Sequence, residues 1–262
     1  MDTETARIPV VVAGITGKTG SAVGRAVYQA PDLALAGGLS RNHAGENLGA
    51  LWGIEAFPWV LGDTLGAFNL PHAVLVDFTE PETALPRLLE AAERGWDIVA
   101  GTTGFSAEGR VELANCVVRC GVGAAVIANF SLGAWVAERL AAEASRYFAT
   151  AEILEGHHVT KRDRPSGTAR AMAETLGQRM KRSPDDIPVH SLRLPGMVAH
   201  QTVVFGSQGQ LLSIRHDVHD RTAYVDGVLA AIRWVCRVEG RMVTDLGEIL
   251  DSEAAPHEDV RL

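Results

Sequence analysis

Pro9-Val10-Val11-Val12-Ala13-Gly14-Ile15-Thr16-Gly17-Lys18-Thr19-Gly20 is the stretch on which the fold turns. Three consecutive β-branched residues, Val10 to Val12, read as a buried strand. Glycines at 14, 17 and 20 punctuate a turn, and Ala22, Val23, Ala26 and Val27 then recur at the spacing of one helical face. Strand, glycine turn and helix in that order describe a dinucleotide-binding unit, in which the backbone approaches a pyrophosphate resting on the helix N-terminus. The spacing Gly-x-x-Gly-x-x-Gly is a variant of the usual fingerprint, and a tight strand–helix turn without ligand is the plain alternative. Gly17-Lys18-Thr19 looks like the end of a P-loop. That motif needs glycine where this chain has Val12, which excludes a nucleoside triphosphate site.

Outward from this unit the pattern repeats. Leu33–Leu39, Ala73–Phe78, Asp97–Gly101 and Ala124–Ala128 read as further strands. Residues 82–94 are helical by period, with Leu85, Leu88, Leu89 and Ala92 on one face and Pro86 placed near the start. Such alternation predicts a parallel sheet wound by right-handed crossovers, with ligands at the carboxyl ends of the strands, where Gly14, Asp77, Gly101 and Asn129 fall. Beyond residue 130 the reading is a helix over Leu132–Tyr147, a strand over Thr150–His158, and a helix over 169–181 with Ser166 as its N-cap. An antiparallel hairpin over 200–206 and 210–217 and a helix over Tyr224–Val238 follow. The expected fold class is α/β: a Rossmann-like parallel-sheet dinucleotide domain over 1–130, then an α+β substrate and oligomerisation domain with a mixed sheet over 131–239. An exposed face of that second sheet is expected to carry Val203, Phe205 and Leu211.

A second stretch carries the chemistry. Residues 155–169 read Glu-Gly-His-His-Val-Thr-Lys-Arg-Asp-Arg-Pro-Ser-Gly-Thr-Ala, which sets His157 and His158 four and three residues ahead of Lys161. Imidazole and ammonium groups donate protons and carry positive charge. The helix start at Ser166-Gly167-Thr168 adds N–H groups and a positive dipole end. Together these predict a pocket for a carboxylate-bearing substrate that is protonated during reaction; a polar surface loop is the bland alternative. The second strand ends in Leu39-Ser40-Arg41, where an NAD-specific site carries an acid. Ser40 suits either cofactor form, Lys18 offers a second cation, and Arg41 reads as lying on a 2′-phosphate or stacking on adenine, with an ordinary solvated side chain the plain alternative.

A net charge of −8 over 262 residues excludes a protein that coats nucleic acid or an anionic membrane. No apolar run reaches transmembrane length, and the polar start Met1-Asp2-Thr3-Glu4-Thr5 is no signal peptide, so a cytoplasmic protein is expected. Cys116, Cys120 and Cys236 are an odd count without framework spacing and read as reduced thiols. Cys116 and Cys120 read as packing residues one helical turn apart. His200, His216 and His219 fit no zinc spacing and read as hairpin-surface or domain-contact residues, so no metal is expected.

Residues 155–168 follow Glu-x-His-His-x-x-Lys-x-Asp-x-Pro-Ser-Gly-Thr at every fixed position, and on them the chain resembles the dihydrodipicolinate reductase family. Gly101-Thr102-Thr103-Gly104-Phe105 resembles that family's nicotinamide loop and Ala128-Asn129-Phe130-Ser131 its domain-junction segment. Phe205-Gly206 and Arg215-His216-Asp217 are similar to its carboxy-terminal hairpin, so the resemblance spans nearly the whole chain. It implies reduction of 4-hydroxy-tetrahydrodipicolinate to tetrahydrodipicolinate in diaminopimelate and lysine synthesis. Water is lost, hydride from NAD(P)H adds at ring carbon 4, and carbon 3 is protonated. Carried over by residue, His157 is the general acid, and Lys161 handles a second proton at the imine nitrogen or holds a carboxylate. His158, Gly167 and Thr168 bind carboxylate oxygens, and Asp163 orients Lys161 or caps the helix.

The implied cofactor contacts are Gly14, Ile15, Thr16, Gly17, Lys18, Thr19, Ser40, Arg41, Gly101, Thr102, Thr103, Ile127, Ala128, Asn129 and Phe130. Loss of the acid at position 40 tilts the expected choice toward NADPH, with NADH also accepted. The resemblance further implies a homotetramer formed through the hairpin-bearing domain, and a return of residues 240–262 to the first domain. The acidic end, Glu253 to Asp259, is expected to fray. Arg164 departs from the small residue common in the family. A Rossmann reductase of another cyclic imine or aldehyde is the competing reading. It would keep the glycine turn without needing His157, His158, Lys161 and Ser166–Thr168 together.

Overall fold

Two units arise from this alternation in the computed structural model, which describes residues 7–54 and 59–253. One takes the described residues up to Phe130 and again from Tyr224; Ser131–Ala223 form the other. The first contains β1 (Ile8–Ala13), α1 (Lys18–Gln29), β2 (Leu33–Leu39), α2 (Leu48–Trp52), β3 (Val74–Asp77), α3 (Pro81–Glu93), β4 (Asp97–Ala100), α4 (Ala107–Cys120) and β5 (Gly123–Val126). The second contains α5 (Leu132–Ala144), β6 (Thr150–His157), α6 (Gly167–Met180), β7 (Val189–Arg193), β8 (Ala199–Ser207) and β9 (Gln210–Val218). The chain then returns to the first with α7 (Val225–Val235), β10 (Arg241–Val243) and α8 (Leu246–Glu253).

The first sheet has the order β10-β5-β4-β3-β1-β2 and is parallel throughout. Its central strands are buried on both faces, as continuous Val, Ile and Ala runs require. Val11, Leu75 and Ile98 face a core shared with Leu88 of α3 and Leu113 of α4. Alternate residues such as Val10 and Val12 serve the opposite face, which α1 and α7 cover. α7 lies very close to the backbone there. A Cβ on Gly123 would stand 2.1 Å from the Val235 carbonyl oxygen, and one on Gly227 would stand 2.1 Å from that of Phe130. Arg233 of α7 also makes a paired contact of 2.7 and 3.0 Å with Asp32, just before β2.

Several expectations change on this view. The second domain was expected to run to residue 239, but α7 packs on β4 and β5, so the first unit resumes at Tyr224. Pro86 is not at a helix start: α3 begins five residues earlier, at Pro81, and carries Pro86 inside it. Pro86 is exposed, so the carbonyl that loses its N–H partner faces water. β10 and α8 account for the expected return of the chain as far as Glu253; residues 254–262 lie outside the described residues.

The second unit is a mixed sheet of order β7-β6-β8-β9, with β6 and β7 parallel and the other pairs antiparallel. One row of side chains, Val189, Ile153, Val203 and Ile214, joins Ala141 of α5 and Ala169, Met172 and Leu176 of α6 in a core. Val203 and Phe205 belong to this covered face and not, as expected, to an exposed one; both are fully buried. The other face shows Leu154, Leu192 and Leu211 to solvent.

The α7 contact is testable. Gly123→Ala should cost about 1–3 kcal/mol by overpacking, lowering the thermal midpoint by roughly 2–12 °C. Gly206→Ala, where a Cβ would meet nothing closer than 3.5 Å, is the matched control in calorimetry and should change little.

Candidate active site

At the carboxyl edge of the parallel sheet, β1 is followed by Gly14, whose φ of 76° is open to glycine. Its N–H donates to the Leu39 carbonyl, and a Cβ there would press on Phe78 and Thr79. A Cβ on Gly20 would stand 2.1 Å from the Gly14 carbonyl oxygen, so that glycine is required for α1 to sit against the turn. Gly17 is the N-cap of α1, with no side-chain cap and no acid in the first turn. Three glycines thus serve a tight turn, a bare helix start and close packing, which is the geometry a pyrophosphate needs. The described residues therefore fit a dinucleotide.

The remaining residues expected to meet a cofactor fall on the same edge and divide by where their side chains point. Thr16, Gly17, Lys18 and Arg41 are exposed, and Thr19 is half-buried. Ser40 is nearly buried after β2 and shares a 2.9 Å hydrogen bond with Thr16. Ile15 is wholly buried against Gly24 and Gly38, so it offers a ligand only its main chain. Thr102, after β4, also turns inward and donates to the Thr79 carbonyl at 3.0 Å. Gly101 is roofed by the Phe78 ring, while Thr103 is exposed. After β5, Ile127 and Phe130 are buried, Ala128 is exposed and Asn129 is half-buried. Asp77, at the end of β3, is consumed internally. Arg87 reaches its carboxylate at 2.6 Å, and Thr79 donates both N–H and hydroxyl to it.

The second unit brings together the residues that the sequence reads as acid–base groups. Period two along β6 puts Glu155 and His157 on the face that carries the core. Glu155 is 1 % exposed, and its carboxylate meets Nδ1 of His157 at 2.5 Å. Both its oxygens also accept from the Arg193 guanidinium, at 3.0 and 2.8 Å. Arg193 reaches further, donating to the carbonyls of Lys161 and Asp163 at 3.3 and 2.6 Å, so one buried guanidinium ties β6, β7 and the loop after β6. Lys161 pairs with Asp163 at 3.0 Å. His158 is half-buried, its Nδ1 2.7 Å from the Thr160 hydroxyl.

Ser166 caps α6 by accepting from Ala169 N–H, which settles Asp163 as the partner of Lys161 and not the cap. The N–H groups of Gly167 and Thr168 belong to the first turn and have no intrahelical acceptor. A Cβ on Gly167 would meet nothing within 4 Å, so the helix start is open. Arg162 and Arg164 are exposed, and the Arg164–Pro165 peptide is cis.

Burial would raise Glu155, but hydrogen bonds from Arg193, Ser191 and His157 outweigh it and hold the carboxyl below its ordinary range. Burial lowers His157, the Glu155 charge works against that, and the Lys161 charge adds to it. Lys161 holds Asp163 low. The sequence reading gave Glu155 no role and missed Arg193. The Glu-x-His spacing on a strand was the available signal for the first, since alternate residues share a face. His216 lies in the same cross-strand row as Glu155 and Gln201, 3.3 Å from the Ser131 hydroxyl. His200 pairs with Asp217 at 2.7 Å.

A family model described as dihydrodipicolinate reductase, N-terminus, matches residues 8–130, and its C-terminus counterpart matches residues 133–250. The chain belongs to the dihydrodipicolinate reductase family. A 4-hydroxy-tetrahydrodipicolinate reductase of Symbiobacterium thermophilum is 45 % identical over 248 residues, covering 92 % of this chain and 97 % of the relative. One from Moorella thermoacetica is 41 % identical, covering 90 % and 95 %. The dipicolinate-bound dihydrodipicolinate reductase of Paenisporosarcina sp. TG-14 superposes with a TM-score of 0.77 at 28 % identity, over 93 % of this chain and 99 % of that one. An amine dehydrogenase of Mycobacterium smegmatis, at 14 % identity and a TM-score of 0.63, shares the fold of this reductase family over 92 % and 96 % of the two chains.

The Glu155–His157 contact predicts a pH signature. With His157 as the proton donor that the family resemblance implies, kcat/KM should fall as pH rises through a value below the ordinary histidine range, about 6.5. Glu155→Gln removes the charge that raises His157 and should move that fall to still lower pH. An unshifted profile in the variant would remove Glu155 from control of the imidazole.

Proposed function

We propose that this reductase converts 4-hydroxy-tetrahydrodipicolinate to tetrahydrodipicolinate with NAD(P)H, in the cytoplasm, as a step toward diaminopimelate and lysine. The observation that carries the reading is the buried Glu155–His157 pair beside Lys161 and an open helix start. Glu155 engages Nδ1, so Nε2 of His157 is the atom that gives up a proton to ring carbon 3. Lys161 supplies positive charge to the imine nitrogen or a carboxylate, with Asp163 limiting where its ammonium swings. The Gly167 and Thr168 N–H groups, with His158, receive carboxylate oxygens, an arrangement the α6 dipole favours. The bound nicotinamide nucleotide supplies the hydride, and the bare start of α1 with Thr16, Lys18 and Thr19 holds its phosphates. The uncovered sheet face, with Leu154, Leu192 and Leu211, supports a homotetramer formed through the second unit.

Following NADPH absorbance with freshly generated substrate tests the assignment. His157→Gln should lower turnover by roughly 10²–10⁴-fold, the range for general acid–base groups, while cofactor affinity barely moves. Lys161→Ala should also weaken binding of pyridine-2,6-dicarboxylate in a thermal-shift titration. Full activity in the first variant, or undiminished dianion binding in the second, would overturn these roles.

NADPH is proposed as the preferred cofactor, because Ser40 stands where an acid would repel the 2′-phosphate and the exposed Arg41 and Lys18 are cations on the same edge. A charge-assisted hydrogen bond there contributes about 1.5–3 kcal/mol, roughly 10- to 100-fold in affinity, before screening by salt. Ser40→Glu with Arg41→Ala should reverse the preference in side-by-side kinetics. A parent enzyme that favours NADH at low and at physiological salt would place Arg41 on the adenine instead.

A further inference from the structure

The amino edge of the parallel sheet holds a cluster that the reductase chemistry does not use. His72 precedes β3, Asp97 opens β4 and Cys236 ends α7, and one candidate ligand atom from each lies within 4.8 Å of the others. Parallel strands begin on the edge opposite the one where they end, so this cluster is remote from Gly14 and Ser40.

His72 sets the argument. Its Nδ1 is 3.0 Å from the Gly95 carbonyl oxygen, which only accepts, so the proton of the neutral ring belongs on Nδ1. Nε2 then turns a lone pair toward Asp97 Oδ2, 3.3 Å away. Two acceptors facing one another need a cation between them, either a proton or a metal ion. Asp97 is 5 % exposed, and its Oδ1 already accepts the Gly123 N–H at 2.7 Å. Imidazole and carboxylate therefore each have the outer hydrogen bond that orients a metal ligand.

The spacing admits the metal. Two ligands roughly 2.0–2.1 Å from a tetrahedral zinc ion lie about 3.3–3.4 Å apart, which matches the His72–Asp97 separation. Cys236 adds a sulfur, whose thiol here donates to the Ile232 carbonyl at 3.3 Å. Nitrogen, sulfur and one carboxylate oxygen suit zinc, whereas magnesium and calcium take oxygen donors.

We propose that His72, Asp97 and Cys236 bind one zinc ion per chain, with water in the fourth position, and so fasten the end of α7 to the starts of β3 and β4. Binding releases the Cys236 thiol proton to solvent and replaces its bond to Ile232 with a thiolate–metal bond.

The full-length chain, stripped with a chelator, is titrated with zinc chloride against a chromophoric competitor. The expected result is one ion per chain and a thermal midpoint raised by roughly 5–10 °C at zinc a hundredfold above Kd. His72→Ala and Cys236→Ser should each weaken binding by more than the roughly 10- to 100-fold typical of outer-shell partners. Cobalt in place of zinc should give a thiolate-to-metal charge-transfer band that Cys236→Ser abolishes. Cys116→Ser with Cys120→Ser, which removes the other thiol pair, should bind as the parent does. His72 is half exposed, so its variant keeps the test open should the cysteine variant fold poorly. No bound zinc, or equal affinity in the His72 and Cys236 variants, would overturn the proposal and leave a proton holding the pair.

Discussion

Burying the Glu155 carboxylate costs several kcal/mol of lost hydration unless its lone pairs are filled. The second unit is organised around filling them. Arg193 answers with two hydrogen bonds, Ser191 and His157 add one each, and the guanidinium must then be buried as well, at 2 % exposure. Its remaining donors are met by the carbonyls of Lys161, Asp163 and Leu192. A loop that carries Lys161 thereby acquires a fixed course without a hydrophobic core of its own. The His157 imidazole receives its orientation from the same carboxylate. One desolvated charge therefore ties the position of the His157 imidazole to that of the Lys161 ammonium.

The cofactor edge works through the backbone. Ile15, Thr102, Ile127 and Phe130 point their side chains into the protein, so at these positions only peptide groups are open to the edge. Crowding enforces this. Gly14 and Gly20 bring the turn and helix together at distances that a methyl group forbids, and Phe78 lies where a side chain on Gly101 would project. Asp77, a buried acid on the edge, is paired with Arg87 and hydrogen-bonded by the threonines around it. The edge therefore presents N–H groups and exposed cations to an anion, without an opposing carboxylate from Asp77.

Elements with strong local signals were legible in the sequence. β2 was read to the residue, and the Ser166 cap, the glycine turn and the strand carrying His157 all follow from short-range spacing. β7 and β10 were missed, because five and three residues leave little period to detect and each is defined by a partner far along the chain. α7 was found, yet assigned to the wrong unit: an apolar helix face does not say which sheet it will cover. Val203 and Phe205 were placed on the open face for a similar reason, since alternation identifies two faces without telling which one the helices will take. Arg193 is 38 residues from Glu155, and nothing local marks it as that carboxylate's partner.

The return of the chain through α7 and β10 has a consequence for synthesis. β5 is complete at Val126, but its outer neighbour in the sheet is not made until Val243. At the usual pace of translation, that interval is roughly 6–25 seconds. During it, β5 is an open edge, and the face that α7 will cover is bare Val and Ala. The whole of Ser131–Ala223 emerges in the meantime, with its own core and its own sheet. The nascent first unit is thus an unfinished sheet while a unit able to close on its own is being made, and until β10 arrives its β5 edge is a place where another chain could pair.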